Sequence, residues 1–164
     1  MDSARRGGRC RPTLTRLHLN LAVSANPVDY YQVAVGSADG VVAVWDLRAE
    51  RVIDECVFPQ LHNGDVRRLM YHPKDPRYLV SGGEDGRLCL VDLGGGGGGG
   101  GGMGGGMGMG MGGGGVEELW DNGGMGCVDL AYDNTSNTLT AAFSSESVVV
   151  MQGHPKLEKG AGYS

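Results

Sequence analysis

The sequence predicts an all-β fold built from repeated four-stranded antiparallel sheets, and three observations carry that prediction. Two stretches offset by 46 residues repeat one another: Tyr31–Leu47 reads YQVAVGSADGVVAVWDL and Arg77–Leu93 reads RYLVSGGEDGRLCLVDL. The offset superposes Gly36 on Gly82, Asp39-Gly40 on Asp85-Gly86, and Asp46-Leu47 on Asp92-Leu93. Each stretch is an apolar, β-branched run, an Asp-Gly turn and a second alternating run, which is the pattern of a hairpin. Further strand-like runs flank both hairpins. Four strands repeated at roughly 40–45 residues describe the blade of a β-propeller.

Taken in order, residues 1–16 hold five arginines (Arg5, Arg6, Arg9, Arg11, Arg16) and one acid, with Gly7, Gly8 and Pro12 opposing a helix. They read as a basic, disordered start. Residues 17–93 supply two blades. Leu17, Leu19, Leu21 and Val23 alternate with polar or small residues and begin the first, its hairpin follows, and Arg51–Phe58 is its fourth strand. Val66, Leu69 and Tyr71 open the second blade less regularly. Gly94–Gly115 holds 18 of the 32 glycines and four of the eight methionines, and reads as a flexible insertion between the third and fourth strands of blade two. Val116–Trp120 is that fourth strand. Residues 116–151 end with a partial blade: Cys127–Tyr132, Thr138–Phe143, a Ser-Ser-Glu-Ser turn and Val148–Met151. Glu146, set as the counterpart of Asp85, gives this blade an offset of 61. Residues 152–164 show no strand pattern and are expected to form a disordered tail.

Composition excludes several function classes. The net charge is −5, and the basic start leaves −9 on the rest of the chain, the wrong sign for general nucleic-acid binding. The arginines of residues 1–16 have no aromatic residue among them to stack bases. Apolar runs are only a few residues long, far short of the about 20 needed for a membrane span. Cys10, Cys56, Cys89 and Cys127 form no CxxC pair, and the four histidines do not complete a zinc spacing, so a reduced nuclear or cytoplasmic compartment is expected.

The stretches GSADGVVAVWDLR and HNGDVRRLMYHPKDPRYLVSGGEDGRLCLVDL resemble WD40 repeats. That resemblance implies a buried structural network in which Asp85 in the turn, His62, Ser81 and, from the other unit, Asp39 and Trp45 hold the strands together. Neither unit has the full set: Arg16 and Val35 stand where unit one would have its histidine and serine, and Val91 stands at the tryptophan position of unit two. Trp120-Asp121 follows no Asp-Gly turn and is a decoy. Within the family, Ala34–Asp46, His72–Leu79, Glu84–Asp92, the insertion and the short last blade resemble the end of the small WD40 nucleoporins of the outer, Y-shaped ring of the nuclear pore. The resemblance implies a non-enzymatic scaffold at the nuclear envelope with outer-ring nucleoporins as partners. The alternative is a substrate receptor of cullin-4 ubiquitin ligases, which carry WDxR, here Trp45-Asp46-Leu47-Arg48, with Arg48 as the partner contact. The bland reading of Arg48 is a solvated side chain after a strand.

No catalytic residue, cofactor or metal is expected. His62 with Asp65 lacks a nucleophile nearby in sequence, Glu117-Glu118 suits a charged strand edge, and Glu84-Asp85 is turn chemistry. The glycine tract has no adjoining helix or lysine to hold phosphate, and Met103, Met107, Met109 and Met111 read as spacer residues before Cu(I) ligands. About three incomplete blades do not close a ring of 4–8, so the chain is expected to be part of a longer propeller.

Overall fold

The structure, a computed structural model, describes residues 19–94 and 115–158. The basic start, the methionines of the glycine tract and residues 159–164 lie outside the described residues. Eleven strands and one helical turn form: β1 (Asn20–Ala25), β2 (Gln32–Ser37), β3 (Val42–Asp46), β4 (Arg51–Phe58), β5 (Val66–Tyr71), β6 (Tyr78–Gly83), β7 (Arg87–Asp92), β8 (Val116–Asp121), β9 (Cys127–Asp133), β10 (Thr138–Phe143), β11 (Val148–Met151) and α1 (Pro155–Glu158). They make three antiparallel sheets, β1-β2-β3-β4, β5-β6-β7-β8 and β9-β10-β11. These are the blades, and β1 and β2 pack against β5 while β5 and β6 pack against β9.

Each blade opens on a strand with one extra residue. Asn20 pairs with Ser37 and Ala22 with Gly36; Val66 pairs with Gly83 and Arg68 with Gly82; Cys127 pairs with Phe143 and Asp129 with Ala142. The bulged residues are therefore Leu21, Arg67 and Val128. A bulge shifts the side-chain alternation by one, which is why Val66, Leu69 and Tyr71 do not keep a strict period of two. In β1 it leaves Ala22 buried while Leu21 and Val23 point away from blade two, exposed.

The seams are apolar. Ala22, Ala34, Val42, Val44 and Phe58 of blade one meet Val66, Leu69, Tyr71, Leu79, Cys89 and Val91 of blade two. Across the second seam, Val80, Leu88 and Leu90 meet Cys127, Leu139, Ala141 and Phe143. Two repeat-equivalent glycines set the spacing. A Cβ on Gly36 would lie 2.5 Å from Val66 Cγ1, and one on Gly82 would lie 2.5 Å from Cys127 Sγ. Each accepts the first residue of the next blade, so a side chain there would force the blades apart.

Strand pairing corrects the third repeat. Gly82 pairs with Leu88 and Ala142 with Val148, so the β10–β11 hairpin lies 60 residues after β6–β7. Glu146 then takes the place of Gly86, not of Asp85, and Ser145 stands where Asp85 does. The backbone agrees: Gly40, Gly86 and Glu146 share the left-handed conformation, with φ of 80°, 83° and 60°. The connection between the blade's first two strands is one residue shorter than in blade two, which is why β9 keeps the offset of 61 while its hairpin does not.

The tail also needs correcting. Residues 155–158 form a helical turn, and Leu157 is buried in the seam between blades two and three. A single leucine in a polar context carries no periodic signal, so sequence patterning passes over it.

The insertion leaves and re-enters the sheet at adjacent points. Val91 pairs with Val116, and the Asp92 N–H donates to the Gly115 carbonyl at 2.8 Å. Replacing residues 95–114 by a short Gly/Ser turn is therefore expected to leave the thermal unfolding midpoint of the chain within a few degrees, because loop length enters closure entropy only logarithmically. A fall of more than about 10 °C, taken against the handful of degrees that about 1 kcal/mol produces, would show that the tract packs on the blades.

Candidate functional site

Blade two carries a three-residue buried chain. The loop after β4 places His62 beneath the β6–β7 turn, where its Nδ1–H donates to Asp85 Oδ1 at 3.0 Å and its Nε2 accepts from the Ser81 hydroxyl at 2.9 Å. Ionised Asp85 can only accept, which fixes the tautomer. Gly83 makes the room, since a Cβ there would lie 2.2 Å from His62 Nδ1. Asp85 also accepts from the Asn63 N–H at 2.8 Å, the Arg87 N–H at 3.1 Å and Arg87 Nε at 2.9 Å. Burial opposes its ionisation, but these donors prevail and hold its carboxyl down at about 2. Burial also lowers the His62 pKa, outweighing the pull of Asp85, so the imidazole stays neutral.

An Asp-His-Ser chain is the layout of a hydrolase triad. Here the His62 and Ser81 side chains are sealed from solvent, so no substrate can reach the hydroxyl. The arrangement ties the loop at Leu61–Asn63 to β6 and β7. It is a strut, and Arg87 extends it by donating to the Leu61 carbonyl at 3.2 Å. Sequence patterning passes over Arg87; its position directly after the Asp-Gly turn is the signal that marks it.

The two residues assigned to the other unit lie apart from this strut. Asp39 accepts from the Ser37 hydroxyl within its own turn. Trp45 is buried, but its Nε1 has no hydrogen-bond partner, because Val35 occupies the strand position that Ser81 has in blade two. Arg48 is about half exposed, 3.3 Å from Asp29 and 3.5 Å from Asp46, and lies 4.8 Å over the Tyr31 ring, which stacks beside exposed Tyr30. With Val28 and Leu47 exposed beside them, these residues give blade one an aromatic and aliphatic corner.

A second polar cluster spans blades two and three. Buried His72 accepts at Nδ1 from the Asp75 N–H at 2.9 Å, so its Nε2 carries the proton, donated to the Leu157 carbonyl at 3.0 Å. The Tyr132 hydroxyl donates to the same carbonyl at 2.6 Å, and the His72 and Tyr132 rings meet edge to face. Glu117 of β8 receives Lys156 at 2.8 Å and His154 at 3.2 Å. Burial holds the His72 pKa below its ordinary value.

Among the described residues no group of three or more His, Cys, Asp and Glu is placed to hold a metal ion, and no helix is long and apolar enough to cross a membrane. The exposed side chains that stand out are apolar: Leu19, Leu21 and Val23 on blade one, Val128, Val148 and Val150 on blade three. Antiparallel sheets of four, four and three strands stacked face to face, each opening on a bulged strand and turning on an Asp-Gly or equivalent corner, define propeller blades. Residues 55–92 match the WD40 family, described as WD domain, G-beta repeat, so the chain contains a WD40 repeat.

Similar proteins fall in the same class. The DDB1- and CUL4-associated factor 13 of Dictyostelium discoideum is 40% identical over 63 residues, 38% of this chain and 13% of that protein. The WD repeat-containing protein 89 homolog of the same organism is 31% identical over 86 residues, 52% of this chain and 22% of its own length. Human nucleoporin Nup43 is 29% identical over 66 residues, 40% of this chain and 17% of that protein. The chain spans less than a quarter of the length of the relatives it matches.

Proposed function

We propose that this chain is part of a non-enzymatic WD40 scaffold that holds other proteins, most closely of the outer-ring nucleoporin kind. The observation that carries the scaffold reading is the burial of His62 and Ser81: among the described residues, the Asp-His-Ser chain with catalytic layout is sealed into the blade, while the exposed features that stand out are apolar and aromatic patches. Large exposed apolar patches mark interaction sites. The nucleoporin reading is supported by the order of sequence pieces from Ala34 to Met151 and by the likeness to Nup43.

A second reading is favoured by a specific observation, the likeness to a DDB1- and CUL4-associated factor together with half-exposed Arg48 in its WDxR string. The two separate by affinity capture of the intact protein from cell extract, which recovers outer-ring nucleoporins in one case and a cullin adaptor in the other. Because Asp29, Asp46 and Tyr31 of the chain itself engage Arg48, Arg48→Ala is expected to leave the recovered partners unchanged. Selective loss of a ligase adaptor would transfer the assignment to the second reading.

A further inference from the structure

We propose that the seam between blades two and three is a peptide-recognition socket which the chain fills in cis with its own residues 154–158. Its ligand class is a short helical turn presenting a leucine preceded by a basic residue, on a partner that displaces the cis segment. The proposal rests on the reading of the chain as a protein-binding scaffold and names one of its surfaces.

The socket has three parts. Its floor is aliphatic: Leu157 is buried in a cluster with Val80 and Leu90 of blade two and Leu139 of blade three. Its clamp reads main chain, since His72 Nε2 and Tyr132 Oη, side chains from two different blades, converge on the carbonyl of Leu157. Both donors are set beforehand, His72 by the Asp75 N–H on its far nitrogen and by the edge-to-face contact with Tyr132. Its rim is acidic, with Glu117 taking Lys156 and His154. A clamp on the backbone, a pocket for one aliphatic side chain and a charge beside it are the components by which peptide-binding surfaces select short motifs.

The segment that fills the socket is held as a ligand would be. The Leu157 and Glu158 N–H groups both donate to the His154 carbonyl, 2.9 Å away, within the segment itself. Only Leu157 among residues 152–158 is buried, and Gly153, at φ 74°, sets a corner between β11 and the turn. Besides a Gln152–Thr138 side-chain hydrogen bond at 3.1 Å, the segment is held to the blades by one side chain, one carbonyl and a partly exposed polar cluster, all of which a peptide in trans can supply.

The test uses the full chain and a fluorescein-labelled peptide of residues 152–158, QGHPKLE. Leu157→Asp empties the socket, so this variant is expected to bind the peptide at least ten-fold more tightly than the intact chain. A peptide whose leucine is replaced by aspartate is expected to bind neither. A folded variant that fails to bind, or equal binding by both chains, overturns the proposal. Hydrogen exchange on the intact chain decides displaceability without a variant: the Leu157 and Glu158 amides are expected to exchange at least 100-fold faster than those of Val80 and Leu90. Equal protection, or unfolding of blades two and three in the variant, would make the segment integral to the seam and sink the inference. If affinity capture still recovers the same partners with the variant while the peptide fails to bind, the socket alone is wrong and the scaffold reading stands.

Discussion

Asp85→Ala is expected to cost about 3 kcal/mol of folding stability, and Glu84→Ala less than about 0.5 kcal/mol, although the two residues are neighbours in one turn. Asp85 is almost fully buried and receives His62, Arg87 and two backbone N–H groups. Truncating it leaves the partly exposed Arg87 cation without its closest anion and the N–H of the sealed His62 ring without an acceptor. Losing one partner of a buried, hydrogen-bonded set costs more than the set's own net worth, because the remaining groups are left desolvated. Glu84 instead pairs with Arg67 at 2.7 Å where both side chains are about half exposed, and such pairs contribute little. The measurement is a denaturant titration of the two variants beside the parent chain. Equal losses would contradict the strut.

What the sequence discloses and what it hides follow from the range of each interaction. The 46-residue repeat is visible because turn chemistry is local: an Asp-Gly pair at a left-handed corner must recur wherever the hairpin recurs. The same logic misled the third repeat. Glu146 shares its acidic type with Asp85, yet the residue the backbone requires there is one that tolerates positive φ, and Glu146 takes the place of Gly86 with φ 60°. The bulge at Arg67 left only an irregular alternation in Val66–Tyr71, because a bulge inserts one residue without any obligatory side chain. His62, Ser81 and Asp85 meet at 2.9–3.0 Å, and all three lie in one unit whose turn residues repeat. Trp45 does not join them, since Val35 offers its Nε1 no oxygen. The Leu157 socket left no trace of this kind: its clamp joins residues 85 apart in the chain, and the His72-Pro73 turn, which repeats Asn26-Pro27 at the 46-residue offset, does not disclose what His72 Nε2 meets. Blade geometry is thus written locally, whereas seams and their occupants are written by contacts with no fixed spacing.

Acid is expected to destabilise the chain before its carboxylates lose their charge in bulk. Two buried histidines, His62 and His72, both have pKa values below their ordinary 6.5, chiefly through burial. For His62, Asp85 pulls the other way and Arg87 adds to the lowering; for His72, the Leu157 carbonyl and Asp75 oppose while Lys74 reinforces. Neither ring can take a second proton without loss, since His62 Nε2 accepts from the Ser81 hydroxyl and His72 Nδ1 accepts from the Asp75 N–H. The unfolded chain therefore binds more protons than the folded one as pH falls below about 6.5, and stability must fall with it. The contribution of each histidine is whole above 6.5 and declines below it, at a slope of at most about 1.4 kcal/mol per pH unit. Asp85, held at about 2 in the fold against an ordinary 3.8, adds its own loss only between those values. Urea titrations at pH 7.5, 6.0 and 5.0 should show the midpoint dropping mainly below 6.5, and His72→Gln should flatten the decline by about half. An unchanged midpoint from pH 7.5 to 5.0 would mean that the two imidazoles are not neutral in the folded chain, and the tautomers assigned to both networks would have to be abandoned.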